Sequence, residues 1–255
     1  MGSLPPIAFR HGILSFESPL IAGVVNVTPD SFSDGGIFAT TDAAVAHGLR
    51  LVADGAALID VGGESTRPGG TPVPADEELS RVLQVIRALA SAVSVPISID
   101  TTKAVVAEAA LEAGAEIVND VSGGAFEPDL VAVVEQRGAA YICGHLRGRT
   151  LAEVHAGEVM PPTFEEVTAE LEARLAKLSP ALRARTIVDP GIGFGKGTAQ
   201  NLELLRRAGE LGAALWRPVM VGPSRKRFLG DITGRAASER DGATVGACLA
   251  AIAAG

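Results

Sequence analysis

The amino-acid sequence predicts an α/β protein built on a parallel sheet, and three observations support this fold class. Short apolar runs rich in β-branched residues alternate with longer stretches of helical periodicity. A glycine–alanine pair recurs where a predicted helix gives way to a strand. Aromatic residues make up only 4% of the chain and hydrophobic residues 47%, so Ala, Val, Leu and Ile must form the core, as in helices packed on a parallel sheet. Such a sheet is either doubly wound or closed as a barrel.

Seven strands are predicted, and most of them lack polar alternation, as expected of strands covered on both faces. They span residues 21–27, 58–61, 96–99, 116–118, 139–143, 186–188 and 218–221. Two apolar stripes at steps of three and four predict helices between these strands. The stripes comprise Leu79, Val82, Leu83, Ile86, Leu89 and Val93, and then Phe164, Val167, Leu171, Leu175 and Leu178.

Three predicted helices end in the same way. Gly55-Ala56, Gly114-Ala115 and Gly138-Ala139 each stand directly before an apolar strand. A glycine just past the last helical turn adopts the left-handed conformation that returns the chain to the sheet. No linker or change of composition interrupts the pattern, so we expect residues 1–255 to form a single domain.

Charge and cysteine usage restrict the partners and the compartment. The 22 Lys and Arg residues against 30 Asp and Glu give a net charge of −8, which argues against nucleic acid or an anionic membrane as partner. The longest apolar run, residues 242–255, is too short to span a bilayer, and the first residues do not resemble a secretion signal. Cys143 and Cys248 lack a CxxC spacing and are interpreted as reduced thiols. We therefore expect a cytoplasmic protein.

Polar residues or glycines stand at the ends of six of the seven predicted strands. The polar residues include Asn26, Asp60, Asp100, Asn119 and Asp189. In a (β/α)₈ barrel, active-site residues come from the carboxyl ends of several strands. Each residue alone is also explained by a helix cap or an Asx turn, and for Asp60 that interpretation is favoured. Together, the amide and carboxylate groups of the other four suit a planar ligand with several N–H groups and ring acceptors.

Three segments after strands have the composition of active-site loops. Asn26-Val-Thr-Pro-Asp-Ser-Phe-Ser-Asp-Gly-Gly and Gly62-Gly-Glu-Ser-Thr-Arg-Pro-Gly-Gly combine hydroxyls, charges and glycines, as mobile catalytic loops do, although a solvated polar loop is the alternative. Ser224-Arg-Lys-Arg groups Arg225 and Lys226 with a third cation in an acidic chain. This cluster predicts a phosphate or anion site, with a solvated helix start as the alternative.

These segments show that the chain resembles the dihydropteroate synthase family. Besides the two loops, the matching stretches are Ile97-Ser-Ile-Asp-Thr, Ile117-Val-Asn-Asp-Val-Ser-Gly-Gly, Asp189-Pro-Gly-Ile-Gly-Phe-Gly-Lys and Gly222-Pro-Ser-Arg-Lys. They run in the family's order from about residue 20 to 230. The resemblance implies a (β/α)₈ TIM barrel that joins 6-hydroxymethyl-7,8-dihydropterin pyrophosphate to p-aminobenzoate in folate biosynthesis. It also implies Mg²⁺ as cofactor, sulfonamides as inhibitors and a homodimer.

Carried over position by position, the resemblance implies a role for each matching residue. The pterin pocket falls on Asp100, Asn119, Asp189 and Lys226, and Asn26 becomes the Mg²⁺ ligand. Further substrate contacts fall on Thr66, Arg67, Phe32, Asp34, Ser224 and Arg225. Asp34, Arg67 and Lys226 are the expected catalytic residues. His145 matches a family position flanked by methionines, which Gly144 and Leu146 replace here, while His11, His47 and His155 are interpreted as surface residues.

Two other functions are alternatives to dihydropteroate synthesis, and the number of predicted strands gives one further structural expectation. A pterin-dependent methyltransferase shares the barrel but would lack the Thr-Pro-Asp-Ser-Phe loop and the Ser-Arg-Lys segment. A degenerate pterin-binding relative without catalytic activity would share all the motifs. A closed barrel needs eight strands and seven are predicted, so we expect the chain to lack the eighth strand–helix unit, which carries an Arg-x-His pair in the family. Such a truncated chain would bind pterin, catalyse weakly and leave an unpaired edge between its first and seventh strands.

Overall fold

The computed structural model describes residues 4, 6–9, 12–28, 36–66, 70–156 and 160–255. Its strands are β1 (Ile7–Phe9), β2 (Gly12–Leu14), β3 (Ala22–Asn26), β4 (Leu58–Gly62), β5 (Ile97–Asp100), β6 (Ile117–Asp120), β7 (Ala140–Gly144) and β8 (Thr186–Asp189). Strands β3 to β8 form one parallel sheet in chain order, and β1 pairs with β2 in a separate antiparallel sheet. The predicted parallel α/β architecture is therefore confirmed.

Helices follow the strands of the parallel sheet. They are α1 (Gly36–Ala53), α2 (Ala75–Ala92), α3 (Ala104–Ala113), α4 (Asp129–Arg137), α5 (Leu151–Ala156), α6 (Phe164–Leu175), α7 (Pro180–Ala184), α8 (Thr198–Arg206), α9 (Ala208–Leu215), α10 (Arg227–Thr233) and α11 (Asp241–Ala253). The two predicted stripes lie on α2 and α6, whose buried residues include Val82, Ile86, Val167 and Leu171. None of the helices in the described ranges is both long and apolar enough to cross a membrane.

The first six predicted strands are confirmed with ends shifted by no more than two residues, but the seventh is wrong as a strand. Residues 218–221 form a single parallel bridge, between Val188 and Val219. The amide of Val188 donates to the Pro218 carbonyl (2.9 Å) and the amide of Met220 donates to the Val188 carbonyl (2.8 Å). Pro218 has no N–H to extend this ladder, and Gly222-Pro223 follows at once, so pairing stops after one residue.

Strand β3 forms one edge of the sheet. Within the described residues it pairs only with β4, and the side chain of Val24 is 45% exposed. No strand in the described ranges pairs with the other side of β3.

Glycines that the sequence predicts at the ends of helices are found there in the structure. Gly114 follows α3 with φ = +118° and Gly138 follows α4 with φ = +66°, both in the left-handed region. Trp216 takes the same conformation after α9, with φ = +52°, although its sequence gives no such signal. In all three cases the chain turns back to the sheet directly after the helix.

Two apolar clusters cover different parts of the parallel sheet. The larger one packs the sheet against the surrounding helices and includes Val61, Ile99 and Leu171. The smaller one joins Ile7 and Leu14 of the β1–β2 pair to residues at or near the amino-terminal ends of parallel strands; these are Leu58, Ile117, Ala140, Ile142 and Ile187. The β1–β2 pair therefore seals one end of the sheet, and the polar residues lie at the other end.

Candidate active site

The carboxyl ends of neighbouring strands bring three of the predicted site residues, Asn26, Asp100 and Asn119, into one row. In the sheet register Asn26 stands beside Gly62, Gly62 beside Asp100, and Asp100 beside Asn119. Gly62 leaves a gap in this row, since a Cβ added to it would stand 3.6 Å from Oδ2 of Asp100 and 3.7 Å from Oδ1 of Asn26. Parallel pairing of neighbouring strands thus brings residues that are far apart in sequence together on one polar surface.

Asp60 belongs to this surface, and its interpretation as a helix cap or turn former is wrong. It lies within β4 and is 4% exposed, and its two carboxylate oxygens accept hydrogen bonds from Oγ of Ser98 and, at 3.0 Å, from Nδ2 of Asn119. Because side chains alternate along a strand, Asp60 and Gly62 share a face. Burial raises the pKa of Asp60 to about 6, although the two hydrogen bonds oppose the shift.

Asp100 is a second carboxyl group that the site makes hard to ionise. Burial is the main cause, and it holds the pKa of Asp100 well above its usual value. The negative charges of Asp60 and Glu78 act in the same direction. The ammonium group of Lys226 acts in the opposite direction and so favours the carboxylate form.

Asp189 and Lys226 form the opposite side of the site. Burial raises the pKa of Asp189, but the Gly191 amide, which donates to Oδ1 at 2.7 Å, favours the carboxylate. Burial lowers the pKa of Lys226, and the charges of Asp189 and Asp100 oppose this shift. Nζ of Lys226 donates to the Ile192 carbonyl at 2.5 Å and lies 4.0 Å from the centre of the Phe194 ring. This lysine is thus held by the turn after β8 while its charge acts on two carboxylates.

The loop after β4 is anchored by an ion-pair cluster that the sequence pattern does not predict. Lys103 bridges Glu64, in that loop, to the fully buried side chain of Glu78 on α2. Nη1 of Arg81 donates to the Gly63 carbonyl at 2.7 Å. The start of the loop that carries Thr66 is therefore tied to both α2 and the end of β5.

His155, predicted as a surface residue, is half-buried and contacts the loop after β4. Its Nε2 lies 2.9 Å from the carbonyl oxygen of Thr66, and its ring lies 6.1 Å from that of Phe194. Helix α5 turns this side chain toward the loop after β4 because Val154, the neighbouring residue, is buried in the apolar cluster that includes Phe194. Thr66 and the turn after β8 are thereby connected through one imidazole.

Two residues of the predicted cation segment, Ser224 and Arg225, are exposed. The guanidinium of Arg225 binds Asp241 of α11 through two contacts, of 2.7 and 3.1 Å, and the Arg225 amide donates to Oγ1 of Thr244. Lys226 alone of the two cations acts electrostatically on Asp100 and Asp189. Phe32, Asp34 and Arg67, which the sequence also predicts as site residues, lie outside the described residues.

His145 is buried behind the site as a neutral group. Its side chain is 0% exposed, and Nε2 lies 2.9 Å from Oε2 of Glu170. Burial lowers the pKa of His145 to about 3, with the charges of Lys196 and Arg174 acting in the same direction, so the ring is neutral at physiological pH. Its Nε2–H group donates to the Glu170 carboxylate, and the neutral ring offers no positive charge to an anionic ligand.

The oxygen donors that could hold a magnesium ion lie at the Gly62 gap. The amide oxygen of Asn26 and a carboxylate oxygen of Asp100 border the same space. In the described part of the chain no group of three or more His, Cys, Asp and Glu side chains is arranged to hold a metal. Mg²⁺ commonly binds one or two protein oxygens and completes its shell with water and substrate phosphates, so these residues fit it.

The combined groups can recognise a planar, polar heterocycle. Asp100 and Asp189 supply acceptors, Asn119 supplies an amide and Lys226 a cation, all at one end of the sheet. Charge-assisted hydrogen bonds of this kind are roughly twice as strong as neutral ones. Three residues near the site were not predicted as site residues from the sequence: Asp60, His155 and Lys196. Asp60 could have been identified from its spacing: it stands two positions before Gly62 in a predicted strand, so its side chain is on the same face as that strand end.

Comparison with known proteins places the chain among pterin enzymes. The family model described as "Pterin binding enzyme" matches residues 22–255. The dihydropteroate synthase of Synechocystis is 44% identical over 98% of this chain and 88% of its own length, and that of Mycobacterium leprae is 44% identical over 85% and 76%. Dihydropteroate synthase from Xanthomonas albilineans with 4-aminobenzoic acid superimposes with a TM-score of 0.87 at 41% identity, over 99% of this chain and 90% of that one.

Two further solved structures carry other ligands. The Xanthomonas albilineans enzyme in complex with 7,8-dihydropteroate is 39% identical, with a TM-score of 0.85 over 98% of this chain and 90% of that one. The Yersinia pestis enzyme in a sulfonamide drug complex is 33% identical, with a TM-score of 0.89 over the same shares.

Proposed function

Because the chain belongs to the pterin-binding enzyme family, among its dihydropteroate synthases, we propose that Asp100, Asn119, Asp189 and Lys226 bind the pterin ring of the first substrate. The fold is an α/β structure of the TIM-barrel type. The reaction condenses 6-hydroxymethyl-7,8-dihydropterin pyrophosphate with p-aminobenzoate to give 7,8-dihydropteroate and pyrophosphate.

The observation that carries the proposal is the position of two carboxylates and one lysine around the same end of the sheet. Asp189 can accept hydrogen bonds from the 2-amino group and the neighbouring ring N–H of a pterin together, which is a two-point, charge-assisted contact. Lys226, held at the Ile192 carbonyl, has further N–H groups to donate to the pterin oxygen and a ring nitrogen. Asp60 fixes the Asn119 amide in its orientation by accepting from Nδ2.

The second substrate is assigned to the loops above the strand ends. Thr66 and Ser224 would contact p-aminobenzoate, together with Phe32, Asp34 and Arg67. His155 supports this assignment by holding the Thr66 carbonyl next to Phe194. The Arg225 guanidinium would have to break its ion pair with Asp241 before it could bind an anion, so it contributes less to substrate binding than Lys226 does.

Magnesium is assigned to Asn26, with the space beside Asp100 left for water and pyrophosphate oxygens. When bound, the ion would neutralise charge on the pyrophosphate leaving group. Arg67 would add a second positive charge from the loop after β4. Lys226 fixes the ring orientation, so that the methylene carbon faces the incoming amine.

The chemical step is a displacement at the methylene carbon of the pterin. The carbon–oxygen bond to pyrophosphate breaks, the amine nitrogen forms the new carbon–nitrogen bond, and the nitrogen then loses a proton. The electron-rich ring can delocalise positive charge at that carbon, so the proposed mechanism uses no protein nucleophile. The protein contributes orientation of the two substrates and stabilisation of the departing charge.

We also propose that the chain forms one domain, acts as a homodimer and works in the reducing cytoplasm. Cys143 is buried and unpaired, and Cys248 is also unpaired, as expected where thiols stay reduced. Val245 and Leu249 of α11 are exposed apolar residues that a second copy could cover. Sedimentation at several protein concentrations tests the dimer, and a concentration-independent monomer contradicts it.

Direct detection of 7,8-dihydropteroate tests the function. The purified chain is incubated with the pterin pyrophosphate, p-aminobenzoate and Mg²⁺, and the product is measured by chromatography. The matched control is Asp189→Asn, which keeps the side-chain volume and removes the charge. Product formation that depends on both substrates and falls in the variant supports the proposal. Pterin binding by calorimetry without any product formation would identify a non-catalytic pterin-binding relative instead.

A further inference from the structure

Lys196 lies behind the site, and its ammonium group binds backbone oxygens only. Nζ donates to the carbonyl of His145 (3.1 Å), of Gly191 (3.0 Å) and of Phe194 (3.1 Å). These bonds use all three N–H groups of a lysine. Among the ion pairs of the described residues none includes Lys196. Burial lowers its pKa to about 7, while the more distant carboxylates of Asp189 and Glu170 act in the opposite direction.

The three carbonyls belong to two different loops that the lysine joins. His145 follows β7, while Gly191 and Phe194 belong to the turn after β8. The loops are in direct contact, since a Cβ added to Gly191 (φ = +69°) would stand 1.8 Å from the His145 carbonyl oxygen. Without a cation these three converging carbonyl oxygens would repel one another, although the Gly191 carbonyl also accepts from the Phe194 amide (3.0 Å). Lys196 is therefore the group that permits this close approach.

The turn that Lys196 holds also positions the pterin residues. Its Gly191 amide donates to Asp189, and its Ile192 carbonyl accepts from Lys226. Its Phe194 ring lies under the Lys226 ammonium group. A shift of this turn would move an acceptor and a donor of the proposed site together.

We propose that Lys196 is a positioning residue that fixes the turn after β8 against the loop after β7 and thereby sets the geometry of Asp189 and Lys226 for the pterin. The inference rests on the proposed pterin site. Its positive charge also acts on Asp189 from behind and favours the carboxylate form of that residue. Lys196 acts directly on the turn after β8, whereas the described residues connect it to the loop after β4 only through the Phe194 and His155 rings, so its effect on pterin binding should exceed its effect on p-aminobenzoate.

The test compares Lys196→Met with Lys196→Arg and with Lys177→Met, an exposed control on the surface near α6. Calorimetry measures Kd for 6-hydroxymethyl-7,8-dihydropterin, and steady-state kinetics measures KM for each substrate. We expect Lys196→Met to raise the pterin Kd and the KM for the pterin pyrophosphate by about tenfold, the effect of losing one charge-assisted contact. The KM for p-aminobenzoate should change by less than about twofold, Lys196→Arg should recover most of the pterin affinity, and Lys177→Met should match the parent chain.

Thermal unfolding of the same variants separates positioning from mere stability. A Lys196→Met variant with a lower Tm but the parent Kd would overturn the inference, because the lysine would then support the fold alone. If the methionine variant does not fold, Lys196→Gln replaces it, and an unchanged pterin Kd in that folded variant overturns the inference equally. Asp189→Asn is measured in parallel. Weakened binding in Asp189→Asn with normal binding in Lys196→Met refutes only the role of Lys196, whereas normal binding in Asp189→Asn refutes the pterin site and this inference with it.

Discussion

Replacing Asp60 by asparagine should change how the stability of the protein depends on pH. The carboxylate accepts from Ser98 and Asn119 in a buried position. An asparagine fits the same network without charge. Its oxygen can accept from Nδ2 of Asn119, and its amide can donate to Oγ of Ser98, whose proton can turn to the Ile59 carbonyl 3.4 Å away. The substitution therefore removes a buried charge and leaves the hydrogen bonds intact.

The magnitude follows from the pKa of Asp60, which burial raises from 3.8 to about 6. A carboxyl group whose folded-state pKa is raised contributes stability that is fully present below pH 3.8 and is lost as the pH rises through 6. A shift of this size corresponds to about 3 kcal/mol of unfolding free energy between the two limits. The parent chain should lose this amount between about pH 4 and pH 7, and Asp60→Asn should not. Relative to the parent, the variant therefore gains up to about 3 kcal/mol over that range.

Urea denaturation at unit steps from pH 4 to pH 8, without ligand, measures the difference. Asp54→Asn, an exposed aspartate in the turn after α1, serves as the control for a generic loss of one charge. The other buried carboxyl groups titrate in both chains, so most of their contribution cancels in the comparison, except that loss of the Asp60 charge also favours ionisation of Asp100 and adds to the gain of the variant. Parallel stability curves for Asp60→Asn and the parent would refute the reasoning, since the aspartate would then ionise in the folded protein without cost.

Three further substitutions test the site. Asp189→Asn should weaken pterin binding by about 1.5–3 kcal/mol, the scale of a hydrogen bond to a charged group, and an unchanged Kd in calorimetry would remove Asp189 from the pocket. Arg67→Ala should reduce kcat far more than pterin affinity, because a cation that stabilises the departing pyrophosphate acts mainly on the reacting complex; equal losses of kcat and affinity would contradict this. His155→Phe keeps a ring beside Phe194 but loses the donor to the Thr66 carbonyl, so kcat should fall by about fivefold, equivalent to one hydrogen bond of about 1 kcal/mol, with little change in Tm. Unaltered turnover in that variant would show that His155 does not position the loop.

The strands were predictable because a parallel strand covered on both faces leaves a continuous apolar run. The run at 139–143, Ala-Ala-Tyr-Ile-Cys, is one example, and its strand β7 spans Ala140–Gly144. The β1–β2 pair was not predicted, since three-residue strands are too short to show a period. Residues 218–221 resemble a strand by composition, but Pro218 limits the pairing to one bridge.

The site was predictable only where function depends on the end of a strand. Asp100 and Asn119 were identified because parallel strands end at the same edge. Asp60 was misassigned because its inward direction depends on the register of β4, which the sequence does not reveal. His155 and Lys196 act through backbone carbonyls 89 and 51 residues away, and such contacts leave no local pattern.

The seal that the β1–β2 pair forms has a consequence for how the chain folds during synthesis. Ile7 leaves the ribosome early, but one of its cluster partners, Ile187, follows about 180 residues later. At a synthesis rate of about 5–20 residues per second, this interval lasts roughly 9 to 36 seconds. During that time the apolar side chains of Ile7 and Leu14 lack some of the residues that cover them in the folded protein, and chaperones can bind them. Closing the base of the sheet is therefore a late, long-range event, and it should be slow compared with the pairing of adjacent strands such as β4 and β5.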